Sequence, residues 1–367
     1  MHVLIVGGGL AGLSSAITLR ENGAAVTVIE AEKDWGTLGA GLSLNGASLR
    51  ALRDLGVLDE VERLGFTHDK RRLYNASGEL RFESDGKRIF GADVPNGGAI
   101  MRPVLHGLLL RRLEELAVNV RPGVAAERII DEEQGIVSLN DGSNVQADMI
   151  VCADGFWSPM RNQLFPDAPE SRFTGQGCWR AVVGRPDDVR GACTFIGSYK
   201  VGVNPVSDEQ MYMFLLENMD SDEWIDEADW VPRLKELLSE FGGVIGEIRE
   251  NLGPDNQVNY RPLKVHVVPP PWYKGRFLLI GDAAHSTTPH AAYGAGLAFE
   301  DALVLGDLYG QGLSRDDIFR EFVARRYERC RKVVEGSVAI GEVEKRGGSI
   351  EEYRAAFEAV QNSVIDS

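Results

Sequence analysis

His2-Val3-Leu4-Ile5-Val6-Gly7-Gly8-Gly9-Leu10-Ala11-Gly12 opens the chain, and its reading decides the fold. The first five residues form a short apolar, β-branched run, which predicts a buried strand. A glycine turn follows at once. Leu10 to Asn22 then carries Leu13, Ala16, Ile17 and Leu19 on one side, with Gly23 past its end, the pattern of a helix and its stop. Val26-Thr27-Val28-Ile29 predicts a second strand, and Glu30 stands at its end. In this order the parts form a dinucleotide-binding βαβ unit. Gly7 permits the tight turn, Gly9 lets the backbone approach a diphosphate, and Gly12 brings the helix close to the strand. The helix start offers free N–H groups and a partial positive charge to phosphates. Glu30, followed by Ala31, is placed to accept hydrogen bonds from a ribose. Its charge disfavours a 2′-phosphate at this site.

Two later segments extend the argument. Ile136–Leu139, the turn Asn140-Asp141-Gly142-Ser143 and the run Val145–Val151 read as a hairpin. Its second strand leads straight into Ala153-Asp154-Gly155-Phe156-Trp157-Ser158-Pro159-Met160-Arg161. Arg276–Ile280 predicts another buried strand, so Gly281-Asp282-Ala283-Ala284-His285 falls at a strand's C-terminal end, where open α/β sheets bind ligands. Gly294-Ala295-Gly296 then opens a helix through Leu308. Gly39-Ala40-Gly41-Leu42-Ser43-Leu44, ahead of a helix from Ala47 to Leu55, allows close approach to a flat ligand or is a simple loop. Pro103 sits well in the first turn of a helix from Val104 to Leu116. Arg102 before it either reaches a diphosphate or is exposed to solvent. Together these segments point to one flavin site, in an FAD enzyme that activates oxygen.

From about Phe173 to Val268 the texture changes to short alternating strands around Cys178–Val183, Cys193–Ile196, Lys200–Val203 and Met211–Leu216, then a polar helical stretch near Trp230–Phe241. This predicts an inserted antiparallel sheet that walls a substrate pocket. After Ser314, an N-cap with Asp317 three residues on, a long amphipathic helix runs to about Ile340, its stripe of Ile318, Phe322, Val323, Cys330, Val333 and Val334 read as core packing. The expected class is α/β: a Rossmann-like FAD-binding domain, an inserted antiparallel β-sheet substrate domain, and C-terminal helices. The expected division is 1–172 for the cofactor domain (with part of the substrate wall near 65–100), 173–268 for the substrate sheet, 269–310 for the return, and 311–367 for the C-terminal helices.

The bulk properties narrow the function. With 367 residues the chain has ample core for one large domain or two coupled ones. A formal net charge of −16 argues against nucleic acid or an anionic membrane as partner. Cys152, Cys178, Cys193 and Cys330 are scattered, which speaks against a disulfide framework or a zinc site and for a reducing cytoplasm. No apolar run is long enough to span a membrane, and the N-terminal run lacks the basic flank of a signal peptide. No metal site is expected.

The chain resembles the class A flavoprotein aromatic hydroxylases of the para-hydroxybenzoate hydroxylase type, over nearly its whole length. The resemblance implies that Gly7 to Gly12, with Leu10 and Ala11, hold the FAD diphosphate and Glu30 the adenosine ribose. Asp154-Gly155 would contribute to FAD and nicotinamide-nucleotide binding, Gly281-Asp282 would meet the ribityl and ribose hydroxyls, and Arg102 the diphosphate. Ala31, Gly41, Ser43, Ala126, Pro289, Gly294, Ala295, Gly296 and Leu297 complete the implied cofactor set. In motif the late segment is closest to the salicylate hydroxylase and FAD-dependent urate hydroxylase subgroups. It departs from the urate enzymes in carrying His290 where they have aspartate, and from relatives generally in carrying Ala291-Ala292-Tyr293 where a small pair lies against the flavin. No second glycine fingerprint follows a strand, so NADH or NADPH is expected to visit transiently. The implied reaction takes NAD(P)H and O2 and hydroxylates a small phenolic aromatic or heteroaromatic through a flavin C4a-hydroperoxide.

Catalytic candidates are His290 and Tyr212. His290 follows Pro289 on the loop that should face the flavin, and an imidazole titrates near neutral pH, suiting a base for the substrate hydroxyl. The bland alternative is a histidine bonded within a tight turn. His285 reads as structural. Tyr212 contacts substrate or simply packs on its strand. Arg180 and Lys200 pair with a substrate carboxylate or are surface charges, and Tyr293 would shape the pocket. The rivals are a tailoring hydroxylase of a larger antibiotic- or polyketide-like substrate, a flavin reductase of the geranylgeranyl-reductase type, a ubiquinone-pathway hydroxylase, and a non-enzymatic nucleotide-binding module. A monomer or homodimer is expected.

Overall fold

The computed structural model describes residues 1–34 and 40–365. Gly39 of the second glycine-rich segment lies outside the described residues. Strands His2–Val6, Ala25–Glu30, Asn119–Pro122, Met149–Cys152 and Phe277–Leu279 run parallel in one sheet, with Tyr273–Lys274 added antiparallel at one edge. The spatial order from that edge is Tyr273, Phe277, Met149, His2, Ala25, Asn119, by first residue of each strand. Val3, Leu4, Ile5, Ile150 and Val151 are fully buried, as in a parallel strand covered on both faces. Helices Leu10–Glu21 and Gly294–Gly310 pack closely: Thr18 Oγ1 donates to the Ala302 carbonyl at 2.7 Å, and a Cβ on Gly306 would lie 2.5 Å from Thr18.

The expected hairpin is half right. Ile136–Leu139 pairs with Asn144–Gln146, but Val145–Val151 is two strands rather than one. The chain leaves the small sheet at Ala147-Asp148 and enters the large parallel sheet as Met149–Cys152. Periodicity could not show this break, because both pieces are apolar β-formers.

The second large sheet has eight strands and is antiparallel except where Ala192–Ile196 runs parallel to Lys70–Asn75. It draws Lys70–Asn75 and Leu80–Asp85 from the early part of the chain onto its edge. Its two faces follow the period of two. Trp179, Ala181, Met211, Met213, Leu215, Val201 and Val203 point one way, into a core shared with helices Glu227–Leu237 and Gly243–Asn251. Cys178, Arg180, Tyr212, Phe214 and Lys200 point the other way, into a cavity. The helix after Ser314 spans Arg315–Lys345, with Ser314 Oγ accepting from Asp317 N–H as the N-cap pattern predicts, and Ile350–Ile365 follows it. Its stripe packs in the core, with Ile318, Phe322, Cys330 and Val333 fully buried.

Candidate functional site

Three neighbouring parallel strands deliver the three motifs to one edge of the sheet. His2–Val6 ends at Gly7, Met149–Cys152 at Ala153, and Phe277–Leu279 just before Gly281; Ala25–Glu30 brings Glu30 alongside. Gly7 has φ +107°, and a Cβ there would lie 2.3 Å from the Ala153 carbonyl oxygen. A Cβ on Gly12 would lie 1.9 Å from the Gly7 carbonyl oxygen. These two glycines therefore serve packing. Gly9 differs: a Cβ there would meet nothing within 4 Å, and Gly9 borders the cavity. Gly155, with φ +80°, is equally open. Arg161 ties the middle motif to the late one, donating to the Phe156 carbonyl at 2.9 Å and the Ala283 carbonyl at 3.2 Å.

The cavity measures about 1740 Å³. That exceeds the roughly 300–1,000 Å³ of an ordinary small-molecule pocket and leaves room for a dinucleotide and a second molecule. Two helix starts face it. Leu10–Glu21 begins after Gly9, which offers no capping side chain, and Gly294–Gly310 begins after Tyr293, which makes no capping bond; neither first turn holds an acid. Their free N–H groups are the donors an anionic ligand needs. Asp282 and Arg102 line the same end, and neither side chain has a hydrogen-bond partner among the described residues. The Asp282 side chain is exposed to the cavity, and the desolvation imposed by the surrounding walls raises its acid above the ordinary value. Unspent donors, an unspent carboxylate and glycines open to the cavity fit a flavin dinucleotide.

Some of the other expected cofactor residues are engaged within the chain and some border the cavity. Glu30 accepts from the Gly8 N–H at 2.7 Å and the Glu32 N–H at 2.9 Å, bracing the glycine turn. Asp154 accepts from Ser158 Oγ at 2.6 Å and the Met160 N–H at 3.0 Å, so its carboxylate fixes the turn into Pro159–Leu164 rather than facing the cavity. Gly41, Ser43, Pro289, Gly294 and Ala295 border the cavity. Gly281, Gly296 and Leu297 stand behind its wall, and Ala31 and Ala126 are not on it.

The substrate candidates meet mixed outcomes. Arg180 faces the cavity with no hydrogen-bond or ion-pair partner among the described residues. Tyr212 is buried, its hydroxyl 3.0 Å from Ser43 Oγ, and its ring fills the space above Gly41. Lys200 is not a free cation: Nζ donates to Glu344 Oε1 at 2.6 Å and Tyr353 Oη at 3.0 Å. Burial opposes its charge, but Tyr353 and Glu344 outweigh it and hold the ammonium above its ordinary value. His290 borders the cavity, yet both ring nitrogens are engaged, Nδ1 with Thr288 Oγ1 at 2.8 Å and Nε2 with Gln176 Oε1 at 2.9 Å. Burial pulls its ring down to about 4. It stands neutral at pH 7 with no nitrogen open to a substrate proton. Tyr293 turns its hydroxyl away, donating it to Glu300, with Arg329 Nη2 at 3.3 Å.

His285 is structural, 2.8 Å from Asp301 through Nε2. Asp301 also accepts from the Gly281 N–H at 2.8 Å and Arg326 Nε at 2.7 Å. His285, Asp301 and Cys330 cluster closely enough for a metal, but the Asp301 oxygens are already spent on the histidine, the backbone and a guanidinium. Sequence reading missed Arg71, Gln176, Glu344 and Tyr353, all on the cavity wall. Alternation along Lys70–Asn75 could have flagged Arg71. Nothing local distinguishes Glu344 among the acids of a long helix.

A family model described as FAD binding domain matches residues 1–337. The Bacillus subtilis protein YetM is 31% identical over 336 residues, 90% of each chain. The FAD-dependent urate hydroxylase of Klebsiella oxytoca is 28% identical over 354 residues, 91% of this chain and 88% of that one. The crystal structure of Klebsiella pneumoniae HpxO complexed with FAD and uric acid superposes with a TM-score of 0.86 at 24% identity, covering 99% of this chain and 93% of that one, and so shares the fold.

Proposed function

Because the chain belongs to the FAD binding domain family, and within it to the class A flavin aromatic hydroxylases, an FAD-dependent group of monooxygenases, we propose that it uses NADH or NADPH and O2 to hydroxylate an aromatic or heteroaromatic ring bearing an acidic group. One observation carries this reading. A single cavity joins a dinucleotide cradle, at Gly9, Asp282 and Arg102, to a sheet face that presents the unpaired Arg180 cation.

FAD bound there supplies hydride acceptance and oxygen activation. The chain's own residues supply the rest. Asp282 accepts from cofactor hydroxyls, and Arg102 with the helix start at Leu10 holds the diphosphate. The N–H groups at Gly294-Ala295 stabilise negative charge where it develops on a ring placed against them. Arg180 binds the acidic group of the substrate, and Tyr212, its hydroxyl set by Ser43, bounds the ring. His290, neutral and bonded on both sides, shapes the wall. Phe214 and Leu216 help to keep water out, which coupled hydroxylation requires.

The test is substrate-stimulated flavin reduction and oxygen uptake with 4-hydroxybenzoate, salicylate, 6-hydroxynicotinate and urate, with peroxide counted separately. Strong stimulation with little peroxide is expected for at least one ring; no stimulation by any of them ends this reading. The volume of the cavity favours a second one, a larger polycyclic phenol, which the same assay detects when such compounds join the panel.

A further inference from the structure

Arg71 stands on the strand Lys70–Asn75, near one edge of the eight-stranded sheet. Its in-register neighbours are Ala192 on one side and Ser84 on the other, so neither adjoining strand sets a carboxylate directly beside it. Arg72, next in sequence, is spent on Glu83 at 2.6 Å and the Asp188 carbonyl at 2.9 Å. Arg71 itself forms no hydrogen bond or ion pair among the described residues. It borders the cavity and is half-buried, and its nitrogens are not among the sealed, unpartnered polar atoms of the interior. Its guanidinium carbon lies over the Phe357 ring, 5.7 Å from the centroid, and Phe357 belongs to the helix Ile350–Ile365. Burial lowers the pKa of the guanidinium, with Tyr353 acting in the opposite sense.

A guanidinium drawn out of water loses hydration that an aromatic face returns only in part. The chain holds 55 acids to 39 bases, yet no acid among the described residues is set against this cation. Its planar fork fits a carboxylate or a phosphate through two parallel hydrogen bonds. The wall beside it is apolar: Leu73 stands two residues on, and Phe82, across from Leu73 in register, borders the cavity with 54% of its surface exposed. Distance separates this cation from the ring site. The strand of Tyr212 is three strand spacings away, about 14 Å, and the strand of Arg180 is four away, about 19 Å. A single small ring at Tyr212 does not reach Arg71.

Resting on the reading of this cavity as a hydroxylation site, we propose that the substrate is longer than one ring: the ring stands at Tyr212 and Arg180, and an apolar arm runs over Leu73 and Phe82 to an anionic end group bound by Arg71. Arg71 is a specificity-determining residue remote from the reacting ring. It selects a substrate by its far end, where a neutral end group leaves the cation unpaired. The diphosphate of NADH or NADPH carries the same chemistry, but the apolar wall beside Arg71 favours the arm.

The test is equilibrium binding to the oxidised holoenzyme, read from perturbation of the flavin's visible spectrum with no reductant present. The probes are 8-(4-hydroxyphenyl)octanoate, its primary amide and 4-hydroxybenzoate. The wild type is expected to bind the long acid about 10- to 100-fold more tightly than the amide. Arg71→Met is expected to erase that preference and to leave binding of the amide and of 4-hydroxybenzoate unchanged. The urea midpoint of the Arg71→Met holoenzyme should equal or exceed that of the wild type, since no internal partner is lost. Arg71→Lys keeps the charge without the fork and should retain part of the preference. A wild type that binds acid and amide alike, or a preference that survives Arg71→Met, overturns the proposal. So does a raised KM for NADH or NADPH in Arg71→Met with the preference intact, which assigns the cation to the coenzyme. The hydroxylation reading is judged apart, by substrate-stimulated flavin reduction. No stimulation by the long acid or by any ring of the panel ends that reading; stimulation without an Arg71-dependent preference refutes the role of Arg71 alone.

Discussion

At the scale of single residues, the glycines of one motif separate into two physical classes. Gly12 sits 1.9 Å, measured from its hypothetical Cβ, from a backbone oxygen, whereas Gly9 faces empty cavity. Gly9→Ala is therefore expected to leave the stability of the cofactor-free protein nearly unchanged while raising the FAD dissociation constant severalfold. Gly12→Ala is expected to destabilise the apoprotein by about 1–3 kcal/mol, since a backbone contact cannot yield. Thermal unfolding of the apoproteins and FAD titration separate the two; similar behaviour in both variants would count against the cradle. The charged residues divide in the same way. Lys200 is spent on Glu344 and Tyr353, and Arg180 is not. Arg180→Met should raise KM for a carboxylated ring about 10- to 100-fold with FAD content intact. An unchanged KM would move the anion site elsewhere, with Arg71, also on the cavity wall, next in line.

At the scale of elements, the late motif is held from behind. The helix Gly294–Gly310 contributes Asp301, and the helix Arg315–Lys345 contributes Arg326, with Asp301 bridging Arg326, His285 and the Gly281 N–H. Burial works against every charge in this group. For Asp301, His285 and Arg326 outweigh burial and hold its acid at about 2. For His285, Cys330 and Asp301 outweigh burial and raise its ring to about 10. Asp301→Asn leaves Arg326 a buried cation short of one carboxylate. It should cost about 3–5 kcal/mol in urea denaturation and loosen the Gly281-Asp282 turn, which FAD affinity reports. A loss below about 1 kcal/mol would show that Glu300, bonded to Arg326 Nη1 at 2.9 Å, carries the cation alone.

At the scale of the whole molecule, the titrating groups set a pH window. His68, His266 and His290 are each pulled down to about 4, chiefly by burial, so the folded protein keeps them neutral. An unfolded chain protonates them near 6.5. Unfolding therefore takes up protons between about pH 6.5 and 4, and the stability these rings contribute is present above that window and lost as pH falls through it. His285 works in the opposite sense: its contribution is full below about 6.5 and fades as pH rises toward 10. Stability should peak near neutrality and fall clearly by pH 5, where three rings oppose one. Urea midpoints at pH 5, 7 and 9.5 check this; a midpoint at pH 5 at or above that at pH 7 would contradict it. None of the described helices is long and apolar enough to cross a membrane.

Local pattern determined the cofactor end of this protein. A strand, a glycine turn, a helix and an acid are neighbours in sequence, and their geometry follows from backbone rules that act over a few residues. The inserted sheet was legible for the same reason, as period-two alternation in Arg172–Gly184 and Gln210–Asn218. The break at Ala147-Asp148 was not, because a strand's choice between two sheets depends on partners far away in the chain. The substrate end belongs to tertiary structure entirely. Whether Lys200 is free and whether His290 Nε2 is open depend on partners more than a hundred residues away, while His290 Nδ1 is taken up locally by Thr288; where the Tyr293 hydroxyl points depends on a buried network with Glu300 and Arg329. Glu344 is one acid among many until the fold sets one of its oxygens on Lys200 and leaves the other bare, because burial and pairing are properties of the packed chain.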